Sequence, residues 1–206
     1  MLRQFQPCIP TRGTTVPVGP DWFHEIKHDG FRLIVQREAK RVRLLTRRGY
    51  DWSERYPLIT QAALRLRKSS FVIDGEAVVL GQNGISDFAA MYSGKRNHEV
   101  RLYAFDLLAD DGVDMRDERL EIRKLWLDKL LKRSTEGIVL NDHEIGEIGP
   151  ALFRQACKFG LEGIVSKHRA RSYRAGPCNH WIKVKNPRSP AMLRAKEVDW
   201  SDRARN

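Results

Sequence analysis

Apolar residues recur along this chain in two rhythms, one of period two in short runs and one of period 3.6 in longer ones. The first rhythm marks Trp22–His28, Phe31–Arg37, Val42–Thr46, Phe71–Leu80 and Val100–Leu108 as strands. Ile138–Leu140, Gly163–Lys167 and Trp181–Lys185 read the same way. The second rhythm predicts helices over Tyr56–Lys68, Arg116–Lys132 and Gly149–Phe159, with Pro57 in a first turn and Gly160 suited to a stop. Ser86–Tyr92 reads as a short helix. Asp29-Gly30 is a common hairpin pair, because both central positions of a type I′ turn need φ > 0, and is expected to join the first two strands. Strands and helices mix without a regular βαβ rhythm. The pattern therefore predicts an α+β fold, mainly antiparallel sheets flanked by helices. Residues 1–20, with four prolines, read as an irregular lead-in, 21–187 as the folded domain, and 188–206 as a polar, extended tail.

Charges interrupt these strands where a plain sheet would carry none. Period two places Glu25 and Lys27 on one face of the first strand. Asp74 and Glu76 break "FVIDGEAVVL" and share a face with Val72 and Val78, and Asp106 sits inside "YAFDLL". Glu162 directly precedes an apolar strand, and Lys183 and Lys185 share a face with Trp181. An unpartnered buried charge is costly, so compensating charges on several strands imply a shared groove. Lys27, Arg32, Lys183 and Lys185 against Glu25, Glu76 and Glu162 suit a nucleotide with its metal ion. Neither GxxxxGK[ST] nor GxGxxG occurs, so phosphate contacts are expected from side chains.

Composition narrows the setting. The 206 residues carry a net charge of +11, which favours a polyanionic partner such as nucleic acid. No apolar run is long enough for a membrane span, and "MLRQFQPCIPTRG" does not read as a signal peptide. Cys8, Cys157 and Cys178 make no metal pattern and no disulfide framework, which favours a reducing cytoplasm. His24 and His28, four apart on a strand, read as structural, and Cys178 with His180 lacks a second ligand pair. Arg169, Arg171 and Arg174 form a basic loop that suits either solvent or a DNA backbone.

The charged stretches, taken in order, resemble the motifs of the adenylation (nucleotidyltransferase, ATP-grasp-like) domain of ATP-dependent DNA ligases, bacterial type. "EIKHDGFR" is similar to the nucleophile motif KxDG, "LLTRRG" to the motif that carries an arginine, here Arg47, and "VIDGEAV" to the DGE motif. "YAFDLL" resembles the adenine-stacking motif, "LEGIVSK" the EGxVxK motif, and "SYRAGPCNHWIKVK" the closing Lys-x-Lys motif. The resemblance spans Glu25 to Lys185. It implies that Lys27 attacks the α-phosphate of ATP to give lysyl-AMP, with Lys183 and Lys185 offsetting phosphate charge and favouring the neutral amine of Lys27. It assigns Glu25 to the adenine edge, with Ile26 beside it, and Phe105 to stacking on the ring. Arg32 and Arg47 go to ribose or phosphate groups, Glu76 to the ribose and the metal, and Glu162 to the divalent cation, Mg²⁺ or Mn²⁺.

The implied partner is nicked or broken duplex DNA. Complete ligases of this family continue into an OB-fold domain after the Lys-x-Lys motif, whereas about 20 residues follow Lys185. A protein partner supplying an OB-like or end-binding function is therefore one expectation, and DNA contacts from Arg188, Arg194, Lys196, Arg203 and Arg205 another. RNA ligation, another covalent nucleotidyl transfer, and a non-catalytic ATP- or DNA-binding module remain open as alternatives.

Overall fold

Two sheets face each other across a cleft in the computed structural model, which describes residues 5–132 and 136–194. One runs β1 (Cys8–Arg12), β11 (Gly176–Lys185), β10 (Gly163–His168), β2 (Trp22–Ile26), β9 (His143–Ile145). Its β1–β11 pair is parallel and its other pairs are antiparallel. The second runs β4 (Arg41–Thr46), β3 (Phe31–Glu38), β5 (Ser70–Val78), β6 (Arg101–Asp110), β7 (Val113–Asp114), with β8 (Ile138–Leu140) laid parallel against β6. Helices α1 (Pro57–Arg65), α2 (Phe88–Ser93), α3 (Leu120–Leu131) and α4 (Gly149–Lys158) flank the sheets. The predicted α+β class with largely antiparallel sheets is what the chain adopts.

Period two explains why the second sheet is buried on both faces. Leu33 and Val35 of β3 point to one core with Ile59, Ala62 and Ala63 of α1 and Leu127, Leu130 and Leu131 of α3. Ile34 points the other way, into a smaller cluster with Val72, Phe105, Tyr173 and Trp181, where the two sheets meet. α2 is closed at both ends by its own residues: Asp87 accepts from the Ala90 N–H, and Gly94 takes the left-handed conformation at φ 72°.

Four expectations need correction. Asp29-Gly30 is not a hairpin turn, because β2 and β3 belong to different sheets and the segment crosses between them. Gly30 does not have positive φ; it is needed because a Cβ there would lie 2.1 Å from the Ala77 carbonyl oxygen. The lead-in is not irregular throughout, since Cys8–Arg12 form β1 at a sheet edge, with Pro10 beside a bulge. The tail turns helical over residues 190–194, and Lys196, Arg203 and Arg205 lie outside the described residues. Cys8 and Cys178, scattered in sequence, are in contact. Gly30→Ala is expected to lose about 1–3 kcal/mol and lower Tm by several degrees in scanning calorimetry. An unchanged Tm would show that β5 yields at Ala77.

Candidate active site

The inter-sheet cleft gathers most of the predicted residues in one pocket. Glu25, Ile26 and Lys27 arrive from β2 and the crossover after it, Arg32 from β3, and Arg47 from just beyond β4. Glu76 comes from β5, Phe105 from β6 and Lys183 from β11, and Cys8, His28, Asn141, Lys167 and Trp181 also line the wall. Glu162 and Lys185 are tied to it through Lys27. Lys27 Nζ lies 2.6 Å from Glu162 Oε2, and Lys185 Nζ lies 2.9 Å from Glu162 Oε1, so one carboxylate bridges both lysines. Gly163 keeps this junction tight: its φ is 139°, and a Cβ would meet the Val184 carbonyl oxygen at 2.1 Å.

Cations outnumber their partners at one end of the pocket. Lys183 is shifted below the usual lysine range by desolvation and then by Lys27, Lys185 and Arg47 around it. Glu76 is in register between Arg32 and Tyr103, and its carboxyl has no hydrogen bond to any described residue. Burial pushes its carboxyl up to about 7; Glu162 and Asp74 push the same way, while Lys27 and Arg32 oppose. A cluster of cations short of anions, beside the Glu76 and Glu162 carboxylates, fits a polyphosphate together with a divalent cation.

The Glu76 shift carries a sign that can be checked. A folded carboxyl pKa above the unfolded value means that Glu76 favours folding below about pH 4.5, and the benefit is lost as pH rises through 7. Without nucleotide or metal, Glu76→Gln is therefore expected to match the wild type at pH 4.5 and exceed it by roughly 1–2 kcal/mol at pH 8. Denaturant unfolding at the two pH values measures this, and a glutamine variant less stable at pH 8 would contradict it.

Glu25 is held more firmly than the sequence suggested. It is 2% exposed and ion-pairs with Lys124 Nζ at 2.6 Å and Lys167 Nζ at 2.8 Å, while Asn141 Nδ2 donates at 3.2 Å. Desolvation opposes its charge, but the two lysines prevail and hold it below the usual carboxylate range. Lys167 in turn is drawn down to about 8 by burial. Three partners leave a carboxylate about one acceptor site free.

Arg32 forms a two-pronged pair with Asp74, at 2.5 and 2.6 Å, and Tyr173 Oη donates to the same Asp74 at 2.7 Å. This accounts for the aspartate inside β5. Asp106 is likewise explained by Arg123 of α3, both side chains being fully buried. Phe105 is only 6% exposed, with Lys167 Nζ 3.9 Å and the Arg32 guanidinium carbon 4.3 Å from its ring centre. A base stacking on Phe105 has to displace one of them. Arg47 is exposed at the mouth, and Arg169 of the basic loop is tied to Glu121 at 2.5 Å.

Sequence reasoning passed over Lys167, Lys124, Asn141, Tyr173 and Arg123. Lys167 ends the "LEGIVSK" motif and was in view. Arg123 and Lys124 had a signal too, since Leu120, Leu127 and Leu131 define a helix face on which positions 123 and 124 fall. Tyr173 lies within the "SYRAGPCNHWIKVK" motif, whereas Asn141 has no sequence signal, because only tertiary contacts give it a role.

The ATP dependent DNA ligase domain family model matches residues 13–185, and the chain belongs to that family. It is 38% identical over 172 residues to the multifunctional non-homologous end joining protein LigD of Pseudomonas aeruginosa, covering 82% of this chain and 20% of that protein. It is 35% identical over 184 residues to the Mycobacterium tuberculosis LigD, covering 87% and 24%. The chain thus spans about a fifth to a quarter of the length of these relatives. The structure of mycobacterial DNA ligase D complexed with ATP and MES superposes with a TM-score of 0.76 at 31% identity, over 87% of this chain and 60% of that one. The Chlorella virus DNA ligase-adenylate shares the fold at TM-score 0.64 and 17% identity, over 88% of this chain and 68% of that one. Among the described residues, no helix is long and apolar enough to cross a membrane.

Proposed function

We propose that this chain carries out the adenylation chemistry of a DNA-joining reaction. Lys27 Nζ attacks the α-phosphorus of ATP, a P–N bond forms as the bond to pyrophosphate breaks, and the chain holds lysyl-AMP. The AMP then passes to the 5′-phosphate at a nick, and a 3′-hydroxyl displaces it. The observation that carries this reading is the Lys27–Glu162–Lys185 bridge opening onto the pocket lined by Lys183 and Glu76. A partly exposed amine there lies 2.6 Å from a carboxylate and next to cations that offset phosphate charge.

Glu25, through its remaining acceptor site, reads the adenine amino group, and Lys124 and Lys167 fix its orientation. Phe105 packs the base once a cation beside it gives way. Arg32 and Arg47 contact ribose and phosphates. Glu76 and Glu162 would hold the divalent cation, Mg²⁺ or Mn²⁺, which when bound offsets triphosphate charge. Nicked duplex DNA is the acceptor, consistent with the net charge of +11, and a partner protein with an OB-like or end-binding role would clamp it.

Mixing pre-adenylated protein with 5′-labelled nicked duplex in single turnover tests the reading. A DNA–adenylate species followed by joined strand is expected on DNA. Transfer only to nicked RNA would move the assignment to RNA ligation, and no transfer to either would remove the joining function.

A further inference from the structure

Two of the three cysteines, far apart in sequence, are brought together at the pocket wall. β1 runs parallel to β11 with Cys8 opposite Gly176 and Pro10 opposite Cys178. The two sulfurs, 170 positions apart along the chain, lie 2.6 Å from each other as free thiols. A disulfide needs about 2.05 Å, so a shift of roughly half an ångström closes the bond. Both residues are buried, Cys8 completely and on the wall of the nucleotide pocket, Cys178 with 6% of its surface exposed.

The surroundings distinguish the two sulfurs. The two thiols share one hydrogen bond in which either sulfur can donate, and the Arg32 guanidinium favours the thiolate form of both. A ring nitrogen of His180 lies within 4.8 Å of both sulfurs, and its Nε2 is buried without a hydrogen-bond partner among the described residues. Cys178, the less enclosed sulfur, is thus the one placed to attack an incoming disulfide, and Cys8 the one placed to resolve it. Cys157 lies elsewhere, on α4.

We infer that Cys8 and Cys178 form a reversible oxidation site, closed to a disulfide by exchange with a small-molecule disulfide. The Cys178 thiolate attacks one sulfur of that reagent, forming a mixed disulfide and releasing one thiolate. Cys8 gives up its proton, with His180 within 4.8 Å to accept it, and attacks Cys178 Sγ, releasing the second thiolate. Two protein thiols are oxidised and one reagent disulfide is reduced to two thiols. The bond ties the β1 wall of the pocket, where the Cys8 carbonyl accepts from Arg32, to the strand that bears Lys183 and Lys185.

The test treats the full chain with oxidised glutathione, then unfolds it and alkylates free thiols with iodoacetamide. One alkylated cysteine, Cys157, is expected, with a Cys8–Cys178 linked peptide in the digest. Bridging positions 170 apart is expected to raise Tm by roughly 5–15 °C, reversed by dithiothreitol. Cys157→Ser keeps both results, and Cys178→Ser loses both. Three alkylated cysteines, a bridge through Cys157, or arrest at a glutathione adduct would overturn the inference. So would purified protein carrying stoichiometric zinc that Cys8→Ser loses, since the cluster would then be a metal site.

Discussion

Lys27→Ala is expected to lower the label that the protein retains from α-labelled ATP by at least about a thousandfold, because no other side chain can replace the bond-forming atom. Lys27→Arg is expected to fail as completely, since a guanidinium does not give up its proton to become a nucleophile. The fold should survive either change. Lys27 has 21% of its side chain exposed, and Glu162 keeps Lys185 as a partner when Lys27 is gone. A Tm close to wild type alongside lost labelling identifies a chemical role. Comparable loss of both would mean that the bridge is structural.

The largest effect on stability is expected at Arg123. Its side chain is wholly buried and donates to Asp106 Oδ1 and Oδ2 at 2.7 and 2.9 Å, to the Glu118 carbonyl and to the Arg171 carbonyl. Arg123→Met leaves Asp106 as a buried carboxylate whose remaining hydrogen-bond donor among the described residues is the Leu107 N–H. Breaking a buried pair by removing one partner costs about 3–5 kcal/mol, or roughly 6–20 °C in Tm for a chain of this size. Arg123→Met with Asp106→Asn is expected to recover at least half of that loss, because the unpaired charge is gone. Calorimetry of the two variants decides it, and a loss below about 1 kcal/mol for Arg123→Met would show that water reaches Asp106.

These two residues show what the sequence could and could not reveal. That Lys27 belongs to a charged groove was legible because its charge, beside an Asp-Gly pair, is matched by charges on four other strands. Asp106 was visible as an anomaly in an apolar strand, but its partner sits 17 positions away on α3. Strand positions were legible from period two, whereas strand pairing was not. Asp-Gly is favourable local turn chemistry, yet nothing within "KHDGFR" indicates that β3 leaves its neighbour for another sheet. Gly30 is fixed by Ala77, 47 positions on, which no local pattern encodes. β1 escaped notice because Pro10 masks an edge strand that finds its partner at the far end of the domain.

The central claim is that Lys27 becomes covalently bonded to AMP in a pocket built by two sheets. Its most direct test is peptide mapping by mass spectrometry after brief incubation with ATP and Mg²⁺, kept at neutral to alkaline pH to preserve a P–N bond. The predicted result is one AMP per chain, located on the peptide that contains Lys27. AMP on any other residue, or ATP bound without a covalent adduct, would contradict it.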